Sequence, residues 1–278
     1  MCSLILQLAL WTSAFTNPYN HTVNESVKRL KVCGERCSGT NFVMYLLHKN
    51  FPTLAPTAIR EFGHKHYLWW FDIPISKNTL NKLRYTQEDV SLINSQDCLF
   101  VVVVRDSYDW LRSFYLKPYD VHKTRCTRGF YQFLKRKWKL TRHYRPGSGQ
   151  HDEVDNQNPW TGKPFANVLE LRKYKIVNYL RLGTLVDNFL LVRYEDVRDN
   201  PQAFIDFVAR FYNLAKAESF DPVDIVIDTS IPPTQARSGP SEPFVRNPYF
   251  PFSQRELKFI NQHTDWPTEN LIGYLPRP

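Results

Sequence analysis

A short run of small and polar residues is the part of this sequence best suited to bind an anion. The run occupies residues 35–41 and lies between two apolar segments. A strand, a tight loop and a helix in this order direct backbone N–H groups and the helix N-terminus at one point. Gly39 allows close backbone approach, Thr40 and Asn41 can cap the helix, and Arg36 supplies a full charge. These residues predict a site for a phosphate or sulfate group.

The run differs from the standard loop that binds nucleoside triphosphates. That loop has the form G-x-x-x-x-G-K-[ST], in which lysine and a hydroxyl residue follow the second glycine. Here Gly34 and Gly39 have the required spacing, but Thr40 and Asn41 follow, and the basic residue, Arg36, precedes the second glycine. Taken alone, the run fits an ordinary strand-to-helix turn as well as it fits an anion site.

Two further polar clusters follow predicted strands. Residues 98–104 form a continuous apolar and β-branched run, typical of a parallel strand buried on both faces, and the run ends at Arg105. A short predicted strand, residues 59–62, leads to the His-Lys-His sequence of residues 64–66. Alternate residues of a strand share a face, so both histidines are expected to point the same way. Histidine titrates near neutral pH and can accept a proton there.

Apolar runs alternate with helical patterns along the chain, which predicts an α/β fold. The predicted strands are residues 30–34, 98–104 and 188–192, and the main predicted helices are residues 40–49, 108–115, 167–182 and 201–212. We expect a single domain with a central parallel sheet flanked by helices on both faces. Ligands of such sheets bind at the carboxyl ends of the strands, where the three polar clusters fall. Residues 144–164 predict a long surface loop.

Composition and charge restrict the class of protein. The chain of 278 residues is 42% hydrophobic and 15% aromatic, which excludes a disordered chain and allows a large core. Its net charge of +9 equals the nine Lys and Arg residues of segment 122–145, which contains no Asp or Glu. A basic face attracts nucleotides, nucleic acid or anionic glycans, although an exposed helix face explains most of these residues individually. Aromatic residues interleave there at helical spacing, which usually indicates core packing.

The first 28 residues are expected to be a leader and spacer, with the folded domain over residues 29–278. Residues 1–15 are mostly apolar and uncharged, too short to span a bilayer, and similar to the core of a signal peptide. Two glycosylation sequons follow, at Asn20 and Asn24. These features favour a glycoprotein of the secretory pathway, in the Golgi lumen or secreted. A cytoplasmic protein is the alternative, because no basic residue precedes the apolar run. The five cysteines, without a C-x-x-C pair, support neither a disulfide framework nor a zinc site.

Together, the motifs resemble those of the PAPS-dependent sulfotransferase family over residues 30–275. In this family a basic residue before Ser-Gly-Thr forms the loop for the 5′-phosphosulfate of 3′-phosphoadenylyl sulfate. The matching residues are Arg36, Cys37, Ser38, Gly39, Thr40 and Asn41. An arginine at a strand end with a serine eight positions later would hold the 3′-phosphate, and here these are Arg105 and Ser113. The string at residues 192–196 contains Tyr194, expected near the adenine, and residues 270–274 are similar to the family's common ending.

The resemblance implies a P-loop-NTPase-like sulfotransferase fold, with 3′-phosphoadenylyl sulfate as co-substrate and no metal. It implies in-line transfer of a sulfo group to a hydroxyl acceptor. The family places a histidine or glutamate as base between the two phosphate sites. This indicates His66 as the base, with His64 close behind, while Lys65 would assist the leaving group. Glu61 is a weaker candidate for the base.

The sequence departs from the family pattern at three points. Arg36 stands where the cytosolic branch has lysine, and Ser107 stands where proline is common. The late glycine-rich closing loop is not evident, and Arg246 is a candidate replacement for it. The acceptor stays open between a carbohydrate, including an anionic glycan, a tyrosine, a lipid head group and a small alcohol. No nucleic acid partner and no transmembrane segment are expected, and the oligomeric state is open.

Two other functions compete with sulfo transfer. A divergent nucleotide kinase or NTPase would need a magnesium ligand such as an aspartate at the end of the buried strand, which ends in Arg105 instead. A non-catalytic protein that binds polyanions through residues 122–145 would show salt-sensitive binding without any nucleotide requirement.

Overall fold

The strands and helices follow the alternating order that the sequence predicts. The computed structural model describes residues 17–22, 26–58, 61–66, 91–118, 129–138, 157–158, 163–223, 225–226, 242–243 and 250–278. Its strands are β1 (Arg29–Gly34), β2 (Ala55–Pro56), β3 (Cys98–Val104), β4 (Gln157–Asn158), β5 (Lys163–Pro164), β6 (Asn188–Arg193), β7 (Ile225–Val226) and β8 (Glu242–Pro243). Its helices are α1 (Thr40–Asn50), α2 (Ser107–Leu116), α3 (Phe130–Lys135), α4 (Val168–Leu182), α5 (Tyr194–Asp199), α6 (Pro201–Phe211), α7 (Gln254–His263) and α8 (Trp266–Leu271).

Four of these strands form one parallel sheet in the order β2-β1-β3-β6. Two short antiparallel pairs, β4 with β5 and β7 with β8, lie outside it. In the sheet, Gly34 lies opposite Val103, and Val104 lies opposite Arg193. The strands β1, β3 and β6 therefore end at the same edge, and the segments that follow them emerge side by side.

The strand β3 is the centre of the core, and all seven of its residues are buried, as its sequence predicts. Leu99, Val101 and Val103 pack on one face with apolar residues of α1 and α6. Phe100 and Val102 pack on the other face with residues of α4. This alternation follows from the period of two along a strand. The predicted α/β fold, a parallel sheet flanked by helices, is confirmed.

A third core cluster joins α2, α3 and α7. Phe130, Phe133 and Trp138 of the basic segment are buried in it, which confirms that these aromatic residues belong to the core. Lys135 and Lys137 alternate with them and are exposed. The described part of the basic segment therefore places its rings inward and these two charges outward.

The strand predicted at residues 59–62 is wrong where the structure describes it. The second strand of the sheet is instead β2, a few residues earlier, and residues 61–63 form a turn. Phe62 and Gly63 have φ angles of 56° and 77°, in the left-handed region that a strand does not use. The two residues of β2, Ala55 and Pro56, are both exposed, so they carry no apolar pattern that sequence reading could detect.

Residues 17–22, predicted as part of the spacer, contact the last strand of the sheet. His21 forms an antiparallel bridge with Phe189, with N–H to carbonyl distances of 3.1 and 3.0 Å. The Asn20 side chain accepts a hydrogen bond from the Leu191 N–H at 2.8 Å. This part of the spacer therefore covers the edge of β6. The leader before residue 17, the second sequon at Asn24, residues 67–90 and Arg246 lie outside the described residues. Within the described ranges, no helix combines the length and apolar character that crossing a membrane requires.

Candidate functional site

The connection between β1 and α1, residues 35–39, is a tight turn that we call the β1 loop. The carbonyl of Glu35 accepts hydrogen bonds from the Ser38 N–H at 3.1 Å and from the Ser38 hydroxyl at 2.6 Å. Cys37 and Gly39 adopt positive φ angles of 63° and 95°. Gly39 takes the position that caps α1, and no side chain caps this helix. The prediction that Thr40 and Asn41 cap α1 is therefore wrong, because the helix already begins at Thr40.

Two glycines, Gly34 just before the β1 loop and Gly39 at its end, are required by close contacts. A Cβ atom on Gly34 would lie 2.5 Å from the carbonyl oxygen of Val103. A Cβ atom on Gly39 would lie 2.1 Å from Cδ2 of Tyr194. Both distances are far below van der Waals contact. The glycines therefore allow the loop to lie directly against the ends of β3 and β6.

Arg36 is buried, with an exposed fraction of 3%. Oε1 of Glu35 accepts hydrogen bonds from the backbone N–H of Arg36 at 2.7 Å and from its Nη1 at 3.1 Å. The Arg36 carbonyl accepts a hydrogen bond from the indole N–H of Trp110, which lies on α2, at 2.7 Å. The loop arginine is thus held by a carboxylate and by the helix after β3.

A buried lysine of α4 lies on the other side of the same carboxylate. The ammonium of Lys175 is 3.1 Å from Oε2 of Glu35 and donates a hydrogen bond to the carbonyl of His66. Burial acts to raise the pKa of Glu35, but Lys175 and Arg36 outweigh it, and the pKa is lowered. Glu35 is therefore an anion between two cations. A cavity of about 20 Å³ lies beside them, enough for about one water molecule.

Arg105, the residue that ends β3, reaches across to the β1 loop. Its Nη1 donates a hydrogen bond to the Cys37 carbonyl at 3.0 Å, and its guanidinium carbon lies 4.7 Å from the centre of the Tyr194 ring. Its own carbonyl accepts a hydrogen bond from Nη2 of Arg172, on α4, at 2.7 Å. Arg36 and Arg105, the two basic residues predicted to bind phosphate groups, thus lie on one edge and on contacting segments.

Ser113 and Cys37 meet between these segments. Burial raises the pKa of the Cys37 thiol to about 12, although Arg105 and a hydrogen bond with Ser113 act in the opposite direction. The thiol also donates a hydrogen bond to the Lys117 carbonyl at 3.5 Å. Cys37 is therefore a protonated packing residue at neutral pH, and Ser113 lies beside the β1 loop. The expected contact of Ser113 with a 3′-phosphate stays a prediction.

Tyr194 joins the β1 loop to Arg105. The ring is 5% exposed and contacts Gly39, the ring of Phe42 and the guanidinium of Arg105. Packing of this kind fixes the position of the arginine through a cation–π contact. The expected contact of Tyr194 with adenine stays a prediction.

The segment 61–66 lies against the β1 loop and is held by its backbone. The ammonium of Lys31, buried in β1, donates hydrogen bonds of 2.6 Å to the carbonyls of Glu61 and Gly63. The Gly34 N–H donates to the Lys65 carbonyl at 2.9 Å. An irregular segment is therefore positioned by lysine side chains where a strand would use a ladder of backbone hydrogen bonds.

The side chains of His66 and Lys65 contact the residues on either side of the β1 loop, Gly34 and Asn41. Nδ1 of His66 is 2.5 Å from the Gly34 carbonyl, and the rings of His64 and His66 are 5.2 Å apart, edge to face. The ammonium of Lys65 donates a hydrogen bond to Oδ1 of Asn41 at 2.7 Å. The two histidines thus lie together as expected, although the backbone that carries them is a turn.

The hydrogen bond to Gly34 decides the protonation of His66. A carbonyl oxygen only accepts, so Nδ1 carries the proton and Nε2 keeps a lone pair. Burial lowers the pKa of His66 well below its usual 6.5, and the charges of Arg36, His64 and Lys65 lower it further. His66 is therefore neutral at pH 7, with the lone pair of its ring on Nε2.

Glu61, the weaker candidate for the base, points away from this edge. Its carboxylate pairs with Arg29, at the start of β1. The strand between Arg29 and Gly34 spans about 16 Å at the usual rise per residue. The Glu61 carboxylate is therefore paired at the end of β1 opposite to the β1 loop, which disfavours it as the base.

Sequence reading missed several residues that build the site. They are Glu35, Trp110, Arg172, Lys175 and Lys31. For two of them a signal was present: Arg172 and Lys175 fall at helical spacing among the apolar positions of α4, with Leu171, Ile176 and Tyr179. A charged residue within an apolar stripe indicates a buried ion pair, and Arg172 indeed pairs with Glu269 of α8.

The comparisons with known proteins leave the family open. No family model matches the chain, and no curated protein shows significant similarity to it. Within the described residues, no group of three or more His, Cys, Asp and Glu side chains is arranged to hold a metal ion. Function is therefore argued from the geometry of the site.

Proposed function

We propose that this protein is a sulfotransferase that moves a sulfo group from 3′-phosphoadenylyl sulfate to a hydroxyl acceptor. The observation that carries the proposal is the contact between the two predicted anion sites. Arg105 donates a 3.0 Å hydrogen bond to Cys37, the residue next to Arg36, at the shared edge of β1 and β3. Two arginines on neighbouring strand ends suit one nucleotide with a phosphate at each end. The parallel sheet agrees with the sulfotransferase version of the P-loop fold, which is part of the proposal.

The β1 loop would stabilise the charge that develops on the leaving phosphate. Sulfo transfer, like phosphoryl transfer, depends mainly on positioning and on electrostatic stabilisation of the leaving oxygens. The first N–H groups of α1 have no partner within the helix, and no side chain caps them. Arg36 and Lys65 add positive charge beside that N-terminus. A single donor of this kind contributes about 3 kcal/mol to the lowering of a barrier.

Arg105 and Ser113 would bind the 3′-phosphate. The guanidinium fork contacts two phosphate oxygens at once, which suits a residue that sets register. Tyr194 holds the fork from one side, at 4.7 Å. This contact supplies binding energy and takes no part in bond breaking.

His66 would remove the proton from the attacking hydroxyl. It is neutral, its free lone pair is on Nε2, and it contacts the residue before the β1 loop. His64 contacts the His66 ring and is the second candidate. The acceptor is a hydroxyl compound, for which a carbohydrate is one candidate.

The competing kinase or NTPase function finds less support. The carboxylate after β3, Asp106, accepts hydrogen bonds from the N–H groups of Tyr108 and Asp109 and pairs with Arg277. It serves as a helix cap, whereas a kinase would use such a residue for magnesium.

Calorimetric titration with 3′-phosphoadenosine 5′-phosphate tests the proposal, in buffer with EDTA and again with magnesium. We expect micromolar binding that does not depend on magnesium, and transfer from 3′-phosphoadenylyl sulfate to at least one member of a panel of hydroxyl acceptors. Binding that appears only with magnesium would favour the kinase alternative. Absence of nucleotide binding, with salt-sensitive binding to a polyanion, would favour the non-catalytic polyanion-binding function.

A further inference from the structure

Lys175 is the buried cation that connects the β1 loop to the segment of the candidate base. Its side chain is 1% exposed, its ammonium is 3.1 Å from Glu35, and it donates to the carbonyl of His66. Burying an ammonium is costly unless it is paired and hydrogen-bonded. A lysine at this position of α4, where its neighbours Leu171 and Ile176 are apolar core residues, is therefore a specific arrangement.

The carboxylate of Glu35 divides its two oxygens between two cations. Oε1 accepts from the backbone and the guanidinium of Arg36, and Oε2 faces Lys175. The attraction between Glu35 and Arg36 competes with the attraction of the loop arginine for an anion that approaches α1. The positive charge of Lys175 beside Oε2 reduces the attraction between Glu35 and Arg36, because Lys175 and Arg36 compete for the same carboxylate.

We propose that Lys175 is a positioning residue for nucleotide binding. It offsets the charge of Glu35, so that Arg36 can turn its positive charge toward a phosphate or sulfate group at the β1 loop. By its hydrogen bond to the His66 carbonyl, it also fixes the distance between that anion site and the base. The inference rests on the proposed function, since it names the residue that sets the loop's affinity for the nucleotide.

The test is a double-mutant cycle at positions 35 and 175, with 3′-phosphoadenosine 5′-phosphate as the titrated ligand. We expect Lys175→Met to weaken binding by at least about tenfold, because Glu35 then holds Arg36 alone. The double variant Glu35→Gln with Lys175→Met is expected to bind within about threefold of the wild type. Lys173→Met is the matched control: it lies on the same helix, its side chain is 46% exposed, and binding is expected to stay within about twofold.

The outcomes separate this inference from the proposed function. If the wild type binds the nucleotide and Lys175→Met binds it equally well, the role of Lys175 is overturned and the proposed function stands. The same holds if the double variant binds the nucleotide as weakly as Lys175→Met. A wild-type protein that does not bind the nucleotide overturns both. If Lys175→Met does not fold, Glu35→Gln is compared with the double variant. Nucleotide affinities of these two variants that agree within about threefold support the inference. A larger difference overturns it, because Lys175 would then act on the nucleotide directly.

Discussion

The two strand ends that form the candidate site are followed by helices whose N-termini differ in capping. After β1, helix α1 begins at Thr40 with Gly39 at its cap position, and no side chain caps it. After β3, helix α2 begins with its own anion in place, because the Asp106 carboxylate accepts hydrogen bonds from the N–H groups of Tyr108 and Asp109. Only the first of these two helix N-termini can therefore offer its backbone N–H groups to a bound anion.

The two arginines are also held by different means. Arg36 is 3% exposed and lies against the carboxylate of Glu35. Arg105 is partly exposed and lies against the ring of Tyr194 and the carbonyl of Cys37. A carboxylate competes with an anionic ligand for its arginine, whereas a ring and a carbonyl leave the positive charge in place.

This difference assigns a task to each region in the proposed reaction. The β1 loop combines backbone N–H groups with a buried charge network, which suits stabilisation of a leaving group. The end of β3 offers the side chain of Arg105, just before a helix that is already capped, which suits binding a phosphate and fixing the position of the nucleotide. Changes of backbone shape at the β1 loop should therefore affect stability most, and changes at the end of β3 should mainly reduce affinity.

Gly39→Ala is expected to have the largest effect, because the added methyl group would push the β1 loop away from Tyr194, which contacts Arg105. Its Cβ would lie 2.1 Å from Cδ2 of Tyr194, and its φ of 95° disfavours any residue with a side chain. Strain and overpacking together should lower the free energy of unfolding by about 3 kcal/mol or more, measured by urea denaturation.

Gly129→Ala is the control for this prediction. Gly129 has a similar φ of 87°, but among the described residues nothing lies within 4 Å of the position that a Cβ atom would take there. Its ψ of 157° lies in a region that essentially only glycine uses, so backbone strain alone should lower the free energy of unfolding by about 1–3 kcal/mol, less than Gly39→Ala does. Equal effects of the two substitutions would mean that the contact between Gly39 and Tyr194 contributes nothing.

Arg105→Ala is expected to reduce affinity with little effect on folding. Loss of the fork should weaken binding of 3′-phosphoadenosine 5′-phosphate at least about tenfold, which corresponds to about 1.4 kcal/mol. Binding of adenosine 5′-phosphate, which lacks the 3′-phosphate, should change by less than about twofold, because its phosphate belongs to the β1 loop. Calorimetry with both nucleotides measures the difference.

Arg198→Ala is the matched control, since Arg198 lies 5.6 Å from the same Tyr194 ring but pairs with Asp199. Its affinity for both nucleotides should equal that of the wild type. An equal loss for both nucleotides with Arg105→Ala would show that this arginine does not distinguish the two phosphate ends.

The elements that carry this comparison can be predicted from local sequence patterns. The strands β1, β3 and β6 are apolar runs, and each is followed by a polar segment, so the sequence alone indicates the edge of the site. It does not indicate the strand β2, because the two residues of β2 are exposed and have no periodicity. Local patterns also mistake the start of the turn at residues 61–66 for the end of a strand, because the shape of this turn depends on Lys31, a residue in another element.

The charge network under the β1 loop is beyond local reading. Glu35 and Lys175 are 140 positions apart, and only the packing of α4 on the sheet brings them within 3.1 Å. Spacing thus predicts which residues reach the edge, and the fold decides which charges are compensated there.

Stability near pH 6 should depend on His66, which contacts the β1 side of the site. Its pKa is lowered on folding, so below pH 6.5 the unfolded chain binds the proton more readily than the native protein. The free energy of unfolding should therefore fall as pH decreases below about 6.5, by at most about 1.4 kcal/mol per pH unit for this one group. Urea denaturation at several pH values measures the slope.

His66→Asn should reduce that slope, because an asparagine amide can replace the hydrogen bond from Nδ1 to Gly34 without titrating. His263→Asn, at an exposed histidine of α7, is the control for the loss of a histidine side chain elsewhere in the protein. His66→Asn should also leave nucleotide binding intact while removing sulfo transfer. A variant that retains full transfer would assign the base to another residue, and His64 would be next.

Arg277→Ala should have the smallest effect and tests whether the end of β3 depends on the C-terminal tail. Arg277 pairs with Asp106 at 2.8 Å and with Asp109 at 3.2 Å, but its side chain is 40% exposed, so the loss in stability should stay below about 1 kcal/mol. Lys216→Ala is the control for stability, because the Lys216 side chain is 43% exposed, close to that of Arg277, and pairs with Asp206. Because the Asp106 cap does not require Arg277, nucleotide affinity should change by less than about threefold. A loss as large as that of Arg105→Ala would mean that the tail, through Asp106, positions Arg105, and the end of β3 would then be a composite site.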